Sequence, residues 1–322
     1  MEKTAFIFPG QGSQFVGMGR ALYDSFSIAK NIFDSADEIL GFSLTDIMFG
    51  LGGNEEEEAA KLKKTEFTQP ALFTHSAAAT AVLRESNVYP QMTAGHSLGE
   101  YSALFAAESL EFEDGLQIVR KRGQLMGAAG IERPGTMAAI LGLDDSVVED
   151  VCNQASSTEF VVVAANYNSV GQIVISGDVQ AVEKAVELAT EAGARRALIL
   201  PVSGAFHSPL MNHAREGLGS ALEQLSISEA SCPVFLNVTA QPSSDPAEIR
   251  LRLGEQLISP VRWSQSLVAM KENGASRFVE VGTGKVLSAL VKRTVGREMV
   301  TAQAGTDADM MQLIQTPTTT NV

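Results

Sequence analysis

The sequence is short of cysteine, of aromatic residues and of positive charge. Only two cysteines, Cys152 and Cys232, occur in 322 residues. They are too few for a disulfide framework, and neither stands in a CxxC or Cys/His spacing that would hold zinc. Both are read as reduced thiols without a chemical role, and no metal is expected. Lysine and arginine number 24 against 38 acidic residues, a formal net charge of −14. A general nucleic-acid binder carries a basic excess, so that class is excluded. No apolar run approaches the ~20 residues of a membrane span, so no membrane association is expected. Met1-Glu2-Lys3 runs straight into a strand-like Thr4–Phe8, without the basic and apolar regions of a secretory leader. The expectation is a soluble protein of a reducing compartment: the cytoplasm, or an organelle matrix if a targeting peptide has been removed. Aromatics make up only 6%, whereas 45% of residues are hydrophobic and 28 are glycine. That mixture favours helices packed closely on a sheet over an all-β sandwich.

The apolar patterns give an order of elements. Ala5–Phe8, ended by Pro9-Gly10, reads as a buried strand. Ala21–Leu40 has helical spacing, Gly50–Lys64 reads as a loop with Glu55–Glu58 on a solvated face or helix start, and Pro70–Ser86 reads as a buried helix. Met92–Ala94 is a short strand, followed by helices over Leu98–Ala107 and Phe112–Ala128. From Thr136 to Pro201 the order becomes βαββαβ, the pattern of a ferredoxin-like unit. Its segments are Thr136–Leu141, Asp145–Gln154, Phe160–Ala165, Gln172–Ser176, Val179–Ala192 and Arg196–Pro201, with glycines at the breaks. Helix–strand alternation then resumes, with strands at Phe235–Val238 and Phe278–Val281. The expected division is a discontinuous large α/β domain, 1–130 and 203–314, with a small domain at 131–202 and a frayed tail at 315–322.

Three features carry chemistry. Gly95-His96-Ser97-Leu98-Gly99 matches G-x-S-x-G between a strand and a helix, the context of a nucleophile elbow. A serine nucleophile needs a base. Among four histidines, His207 lies in a turn-rich loop and His213 on the following segment; His207 is preferred and His213 is second. His75 falls inside an apolar helix, and His96 beside the serine points away from its hydroxyl. On a wheel of ~100° per residue, Leu116, Ile118, Val119, Leu125 and Met126 mark one face, and Arg122 falls in its middle. A buried arginine needs an anion, supplied either by an internal acid or by a substrate carboxylate gripped by the guanidinium fork. Pro9-Gly-Gln-Gly-Ser-Gln14 is not a dinucleotide fingerprint, because Phe15 stands where glycine is required. Its glycines suit a close backbone approach to a ligand.

These motifs occur together with Thr68-Gln-Pro-Ala71, Gly95-His-Ser-Leu-Gly-Glu100, Arg122-Gly123, Asn166-Tyr-Asn168, Gly204-Ala-Phe-His-Ser-Pro209, Gln256, Pro260, Trp263 and Glu280-Val-Gly282. The set, spread over almost the whole chain, resembles the malonyl-coenzyme A:acyl carrier protein transacylase family, which is related to the acyltransferase domains of fatty acid and polyketide synthases. The resemblance implies an α/β-hydrolase-like large domain with an inserted ferredoxin-like domain. It implies Ser97 as nucleophile, His207 as base, the N–H groups of Gln11 and Leu98 as oxyanion hole, and Arg122 on the substrate carboxylate. The main-chain carbonyl of Gln256 would orient the histidine in place of an acid. His96 and Asn168 would line the pocket, and Phe206 would match the malonyl-selective version of its motif. Thr283 stands where the family often has proline.

The implied reaction is ping-pong malonyl transfer through a seryl ester, from coenzyme A to the phosphopantetheine thiol of acyl carrier protein, in fatty acid biosynthesis. A coenzyme A thioester is then a substrate, no cofactor is permanently bound, and a monomer is expected. A polyketide acyltransferase or a serine hydrolase would use the same elbow, and a non-catalytic module that binds carrier protein is the remaining alternative. Both acyl carriers are polyanions and the chain is itself acidic, so docking requires a local basic patch. Lys285, Lys292, Arg293 and Arg297, or Arg195 and Arg196, are its candidates.

Overall fold

The computed structural model describes residues 3–202 and 204–315. Among them are ten strands: β1 (Lys3–Phe8), β2 (Met92–Gly95), β3 (Gly135–Leu141), β4 (Val162–Ser169), β5 (Gln172–Asp178), β6 (Arg196–Ile199), β7 (Val234–Phe235), β8 (Pro242–Ser243), β9 (Ala275–Val281) and β10 (Val300–Ala304). They form two sheets, with orders β10-β9-β1-β2-β7-β8 and β4-β5-β3-β6.

In the six-stranded sheet, β10, β9, β1, β2 and β7 run parallel, and β8 returns antiparallel to β7. Parallel sheets are covered on both faces, and β1 shows it. Phe6 and Phe8 enter one core with helices Thr65–Glu85 and Phe112–Glu132, while Ala5 and Ile7 enter another with Trp263, Leu267 and Leu290. The two-residue period of a strand makes this split.

Helix Thr65–Glu85 carries Pro70 in its interior, so the helix extends beyond the expected start. Proline cannot donate to the carbonyl four residues back. That carbonyl, Glu66 O, instead accepts from Arg120 on the neighbouring helix. The lost hydrogen bond is thus replaced from outside, and the helix stays continuous.

The four-stranded sheet is antiparallel throughout, and its chain order is βαββαβ. One face packs Ile140, Ile173 and Ile175 on helices Asp145–Ala155 and Val179–Glu191. Alternate residues on the other face, Met137 and Val174, join the core of the large sheet. Val261 fixes the joint: its N–H donates to Ala165 O at 2.8 Å, and its carbonyl accepts from Tyr167 N at 2.9 Å. This holds β4 over the large sheet.

Several boundaries differ from the sequence reading. Asn54 caps a helix over Glu55–Leu62 with its side-chain oxygen, where a loop was expected. The segment 21–40 is two helices, Arg20–Ser25 and Ser27–Leu40, broken at an extended Phe26. The strand expected to end at Ala165 continues to Ser169, because it stays paired with β5 as far as Ser169 opposite Gln172. β8 and β10 were not foreseen. Gln315 closes the last helix instead of fraying, and the rest of the expected tail, 316–322, lies outside the described residues. Among the described residues, no helix is long and apolar enough to cross a membrane.

Candidate active site

β1, β2 and β7 are parallel neighbours, so the loops that follow them leave the same edge of the sheet. The register pairs Phe8 with Gly95 and Ala94 with Phe235. Gln11, Ser97 and Asn237 are therefore gathered just past the carboxyl ends of three strands, where open α/β sheets place their ligands.

Ser97 sits in a sharp turn with φ 51°, a left-handed conformation uncommon for a residue with a side chain. Two glycines permit it. A Cβ on Gly95 would lie 1.8 Å from the carbonyl carbon of Gly99, and one on Gly99 would lie 2.2 Å from Phe8 O. Asn237 braces the turn from β7. Its Oδ1 accepts from Ser97 N at 2.7 Å, and its Nδ2 donates to Gly95 O at 2.7 Å. Helix Gly99–Ala106 begins directly after Leu98; its first N–H groups bond back to His96, Ser97 and Leu98 carbonyls, and the positive end of the helix dipole lies beside the serine.

The Ser97 hydroxyl lies 2.8 Å from His207 Nε2, and His207 Nδ1 lies 2.9 Å from the main-chain carbonyl of Gln256. A carbonyl only accepts, so Nδ1 carries the proton and Nε2 presents a lone pair to the serine. Burial, reinforced by the nearby Arg122 cation, pushes His207 down to about 3. It stays neutral near pH 7 and is able to take a proton from Ser97.

Arg122 is only 1% exposed, in the middle of the buried helix face as its periodicity predicts. Its Nη1 donates to Gln69 Oε1 at 2.8 Å. Its Nη2 donates to Gln256 Oε1 at 2.8 Å and to Ser97 Oγ at 3.0 Å. These hydrogen-bond partners are two amides and a hydroxyl, so Arg122 has no direct ion pair among the described residues, although buried Glu100 lies near enough to favour its charge. A buried guanidinium beside Ser97 without a directly bonded anion can accept one.

These residues surround a cavity of about 180 Å³ between the two sheets. Gln11, His96, Ser97, Leu98, Arg122, Asn168, Phe206 and His207 all line it. Gln256 stands behind the wall and reaches three of them through hydrogen bonds. His96 Nε2 meets Asn168 Oδ1 at 2.8 Å, a link from the elbow to β4, and burial lowers its pKa. The Phe206 ring occupies space that a Cβ at Gly204 would invade at 2.8 Å. The alternative base, His213, is in an exposed pair with Glu132 at 3.9 Å and is absent from this wall. His75 is buried in its helix against Gly305 O. Of the basic candidates, Arg293 bonds Gln172 Oε1 at 2.8 Å, at the end of β5.

Sequence reasoning missed Asn237 and the support given by Gln69. Gln69 lay within a quoted motif, and its spacing on the helix with Thr65 was an available signal: Gln69 Nε2 donates to Thr65 Oγ1, which donates to Gln11 Oε1. No local pattern marked Asn237, whose role depends on β7 pairing with β2. Asn166 and the apolar Met126, Met137, Val174, Leu200 and Val202 complete the wall.

With this geometry in place, comparison with known proteins is direct. The acyl transferase domain family matches residues 5–319. A malonyl CoA-acyl carrier protein transacylase of Bacillus subtilis (strain 168) is 47% identical over 317 residues, 98% of each chain. The solved acyl carrier protein S-malonyltransferase of Vibrio cholerae is 39% identical with a TM-score of 0.91, over 97% of this chain and 100% of that one. A malonyl-transacylase solved in complex with its type II PKS acyl-carrier protein is 36% identical with a TM-score of 0.91, over 98% and 100% of the two chains. The chain belongs to the acyl transferase domain family, among its malonyl CoA-acyl carrier protein transacylases.

Proposed function

We propose that the protein transfers malonyl groups from malonyl-coenzyme A to the phosphopantetheine thiol of acyl carrier protein. The observation that carries the reading is Arg122: a buried cation whose hydrogen-bond partners are neutral, 3.0 Å from the hydroxyl of a serine paired to a neutral histidine. The fork binds the free carboxylate of the malonyl group and brings the thioester to Ser97. His207 Nε2 accepts the serine proton as Oγ attacks the thioester carbon. The N–H groups of Gln11 and Leu98 hold the oxyanion, each such donor being worth ~3–4 kcal/mol. Collapse expels the coenzyme A thiolate, which takes the proton back from His207. The carrier thiol then enters, gives its proton to His207, attacks the seryl ester and leaves as the malonyl thioester, restoring Ser97. The Gln256 carbonyl orients the histidine throughout, and no permanently bound cofactor is required.

In this reading, residues 1–130 and 203–314 form the large catalytic domain, and 131–202 the small domain that closes the cavity. The protein acts as a cytoplasmic monomer, and Arg195, Arg196 and the basic residues around Lys285–Arg297 receive the acidic carriers. The relative solved with a type II PKS carrier supports a polyketide carrier as the second reading. Intact mass after mixing with malonyl-coenzyme A tests the first step. A malonyl adduct that disappears in Ser97→Ala supports transfer, and no adduct in the unaltered protein would sink it. Adding carrier proteins separates the pathways by which one discharges the adduct, and discharge to water alone would indicate a hydrolase. In Arg122→Ala, preference should move from malonyl toward uncharged acyl groups.

A further inference from the structure

Glu100 ends the elbow motif and takes no part in the mechanism above. It is fully buried one turn beyond Ser97, and its two oxygens reach two different supports of the site. Oε1 accepts from Asn237 N at 3.2 Å, and Oε2 accepts a short bond from Gln256 Nε2. Gln256 Nε2 also donates to Ser97 O at 3.0 Å, while its Oε1 accepts from Arg122 at 2.8 Å.

We propose that Glu100 is a positioning residue for substrate selection, fixing the Gln256 side-chain amide so that its oxygen faces Arg122 and holds the guanidinium at Ser97. The inference rests on the transfer reaction proposed above. An amide is nearly symmetric in shape, and three contacts set which end faces the cation: Arg122, which only donates, Ser97 O, which only accepts, and Glu100. An ionised carboxylate only accepts. It draws the amide NH₂ to itself and leaves the oxygen for Arg122. A neutral acid or an amide at position 100 presents a donor as well, so this contact weakens and the Gln256 amide is held by Ser97 O and Arg122 alone. The acceptor that aims Arg122 is then less firmly fixed, and the carboxylate-bearing substrate loses most.

The charge state of Glu100 therefore matters. Burial pushes its carboxyl up to about 7, against the opposing pull of Gln256, Asn237 N–H and Arg122. The ionisable groups around it are Arg122 on the adjacent helix, Tyr101 on its own helix, and His207 and His96 across the site. Arg122 remains charged, Tyr101 is pushed up to about 12, His207 is held near 3 and His96 is lowered, so none of them changes charge around pH 7. Glu100 is the carboxylate above about 7 and the acid below, so selectivity should fall as pH drops through that value.

The test measures acylation of Ser97 by intact mass, with malonyl- and acetyl-coenzyme A, from pH 6 to pH 8, in the unaltered protein and in Glu100→Gln. Circular dichroism first establishes that the variant is folded. The expected result is a malonyl rate at least tenfold lower in the variant, a smaller acetyl effect, and loss of the pH dependence of the malonyl-to-acetyl ratio. Equal slowing of both substrates, or unchanged rates, would overturn the proposal. If the variant does not fold, the unaltered protein decides: the ratio should drop severalfold from pH 8 to pH 6, and a flat ratio overturns it. Failure of the unaltered protein to take malonyl at all would instead remove the transfer reading on which this rests.

Discussion

The two walls of the cavity are built on opposite principles. The elbow wall, from the large sheet, is polar, hydrogen-bonded at nearly every atom and packed backbone to backbone. Ser97 and His207 both hold positive φ there, a local strain on the order of 1–3 kcal/mol each that surrounding packing must sustain. The opposite wall, from the small sheet, sets the apolar Met137 and Val174 beside two amides, Asn166 and Asn168, the latter its link to His96. The first wall has one workable arrangement, because reacting atoms must meet within hydrogen-bond distance. The second needs only the right volume, which several side chains could supply. The elbow wall thus holds both the Ser97–His207 pair and the Arg122 charge, and the small-sheet wall contributes volume.

Substituting one small residue on each wall gives the largest test of this contrast. Gly99→Ala places a methyl 2.2 Å from Phe8 O, and neither backbone segment is free to retreat. The expected cost is on the order of 4 kcal/mol or more, with loss of Ser97 acylation. Val174→Ala removes two methyl groups that border a cavity and should cost only ~1 kcal/mol, leaving acylation in place. Denaturant unfolding of both variants measures the difference. Comparable losses would show that the small-sheet wall is as rigidly specified as the elbow.

The same contrast explains what was legible in the sequence. Ser97, Gly95 and Gly99 could be read because the elbow is a local device whose spacing is dictated by backbone contact. Arg122 could be read because a charge on an apolar helix face is anomalous at a 3.6-residue period. His207 was only a preference from its loop until the resemblance singled it out. Asn237 was not legible, since its role arises from strand pairing across a long stretch of chain. Met137 and Val174 were not legible as site residues, because an apolar side chain facing a cavity looks the same in sequence as one facing a core. The βαββαβ order was legible because short apolar runs alternate with amphipathic helices and glycines stand at most of the breaks, Gly142, Gly171, Gly177 and Gly193. The glutamate run Glu55–Glu58 allows a solvated face or a helix start, and the structure shows the helix start; the cap that decides it, Asn54, is not singled out in the sequence reading.

The elbow wall keeps its chemistry only while its histidine stays neutral, which carries a cost in acid. His207 is held near 3 and His75 near 4 in the folded protein, whereas both titrate near 6.5 when unfolded. Below pH 6.5 the unfolded chain binds protons that the folded chain refuses, so these groups remove stability as pH falls. Glu100 and Glu280, whose pKa values are raised by burial, act in the opposite direction over part of the same range. Comparing His207→Gln with the unaltered protein isolates one histidine. Between pH 7 and pH 5 the unaltered protein should lose ~2 kcal/mol more than the variant, at ~1.4 kcal/mol per pH unit below 6.5. Urea midpoints at the two pH values give the result, and identical slopes would show that water reaches His207 and relieves its burial.

Phe206 stands where the two walls meet, and it gives the smallest and most specific test. It follows Gly204 and Ala205 and immediately precedes His207, and its ring fills space that a Cβ at Gly204 would contest. The ring faces the same cavity as Ser97 and Arg122, so a substituent on the α-carbon of the acyl group must compete with it for volume. Phe206→Ser removes the ring without touching a hydrogen bond of the dyad. Discrimination by one methyl group in a pocket is worth ~1–3 kcal/mol, and the lower end applies here because Met137 and Val174 still border the space. Methylmalonyl loading should therefore gain about tenfold relative to malonyl loading, while the malonyl rate itself changes little. Competition between the two coenzyme A thioesters, scored by adduct mass on Ser97, measures it. A gain for methylmalonyl together with an equal loss for malonyl would mean that the ring also positions His207, and that volume and chemistry are not divided between the walls at this residue.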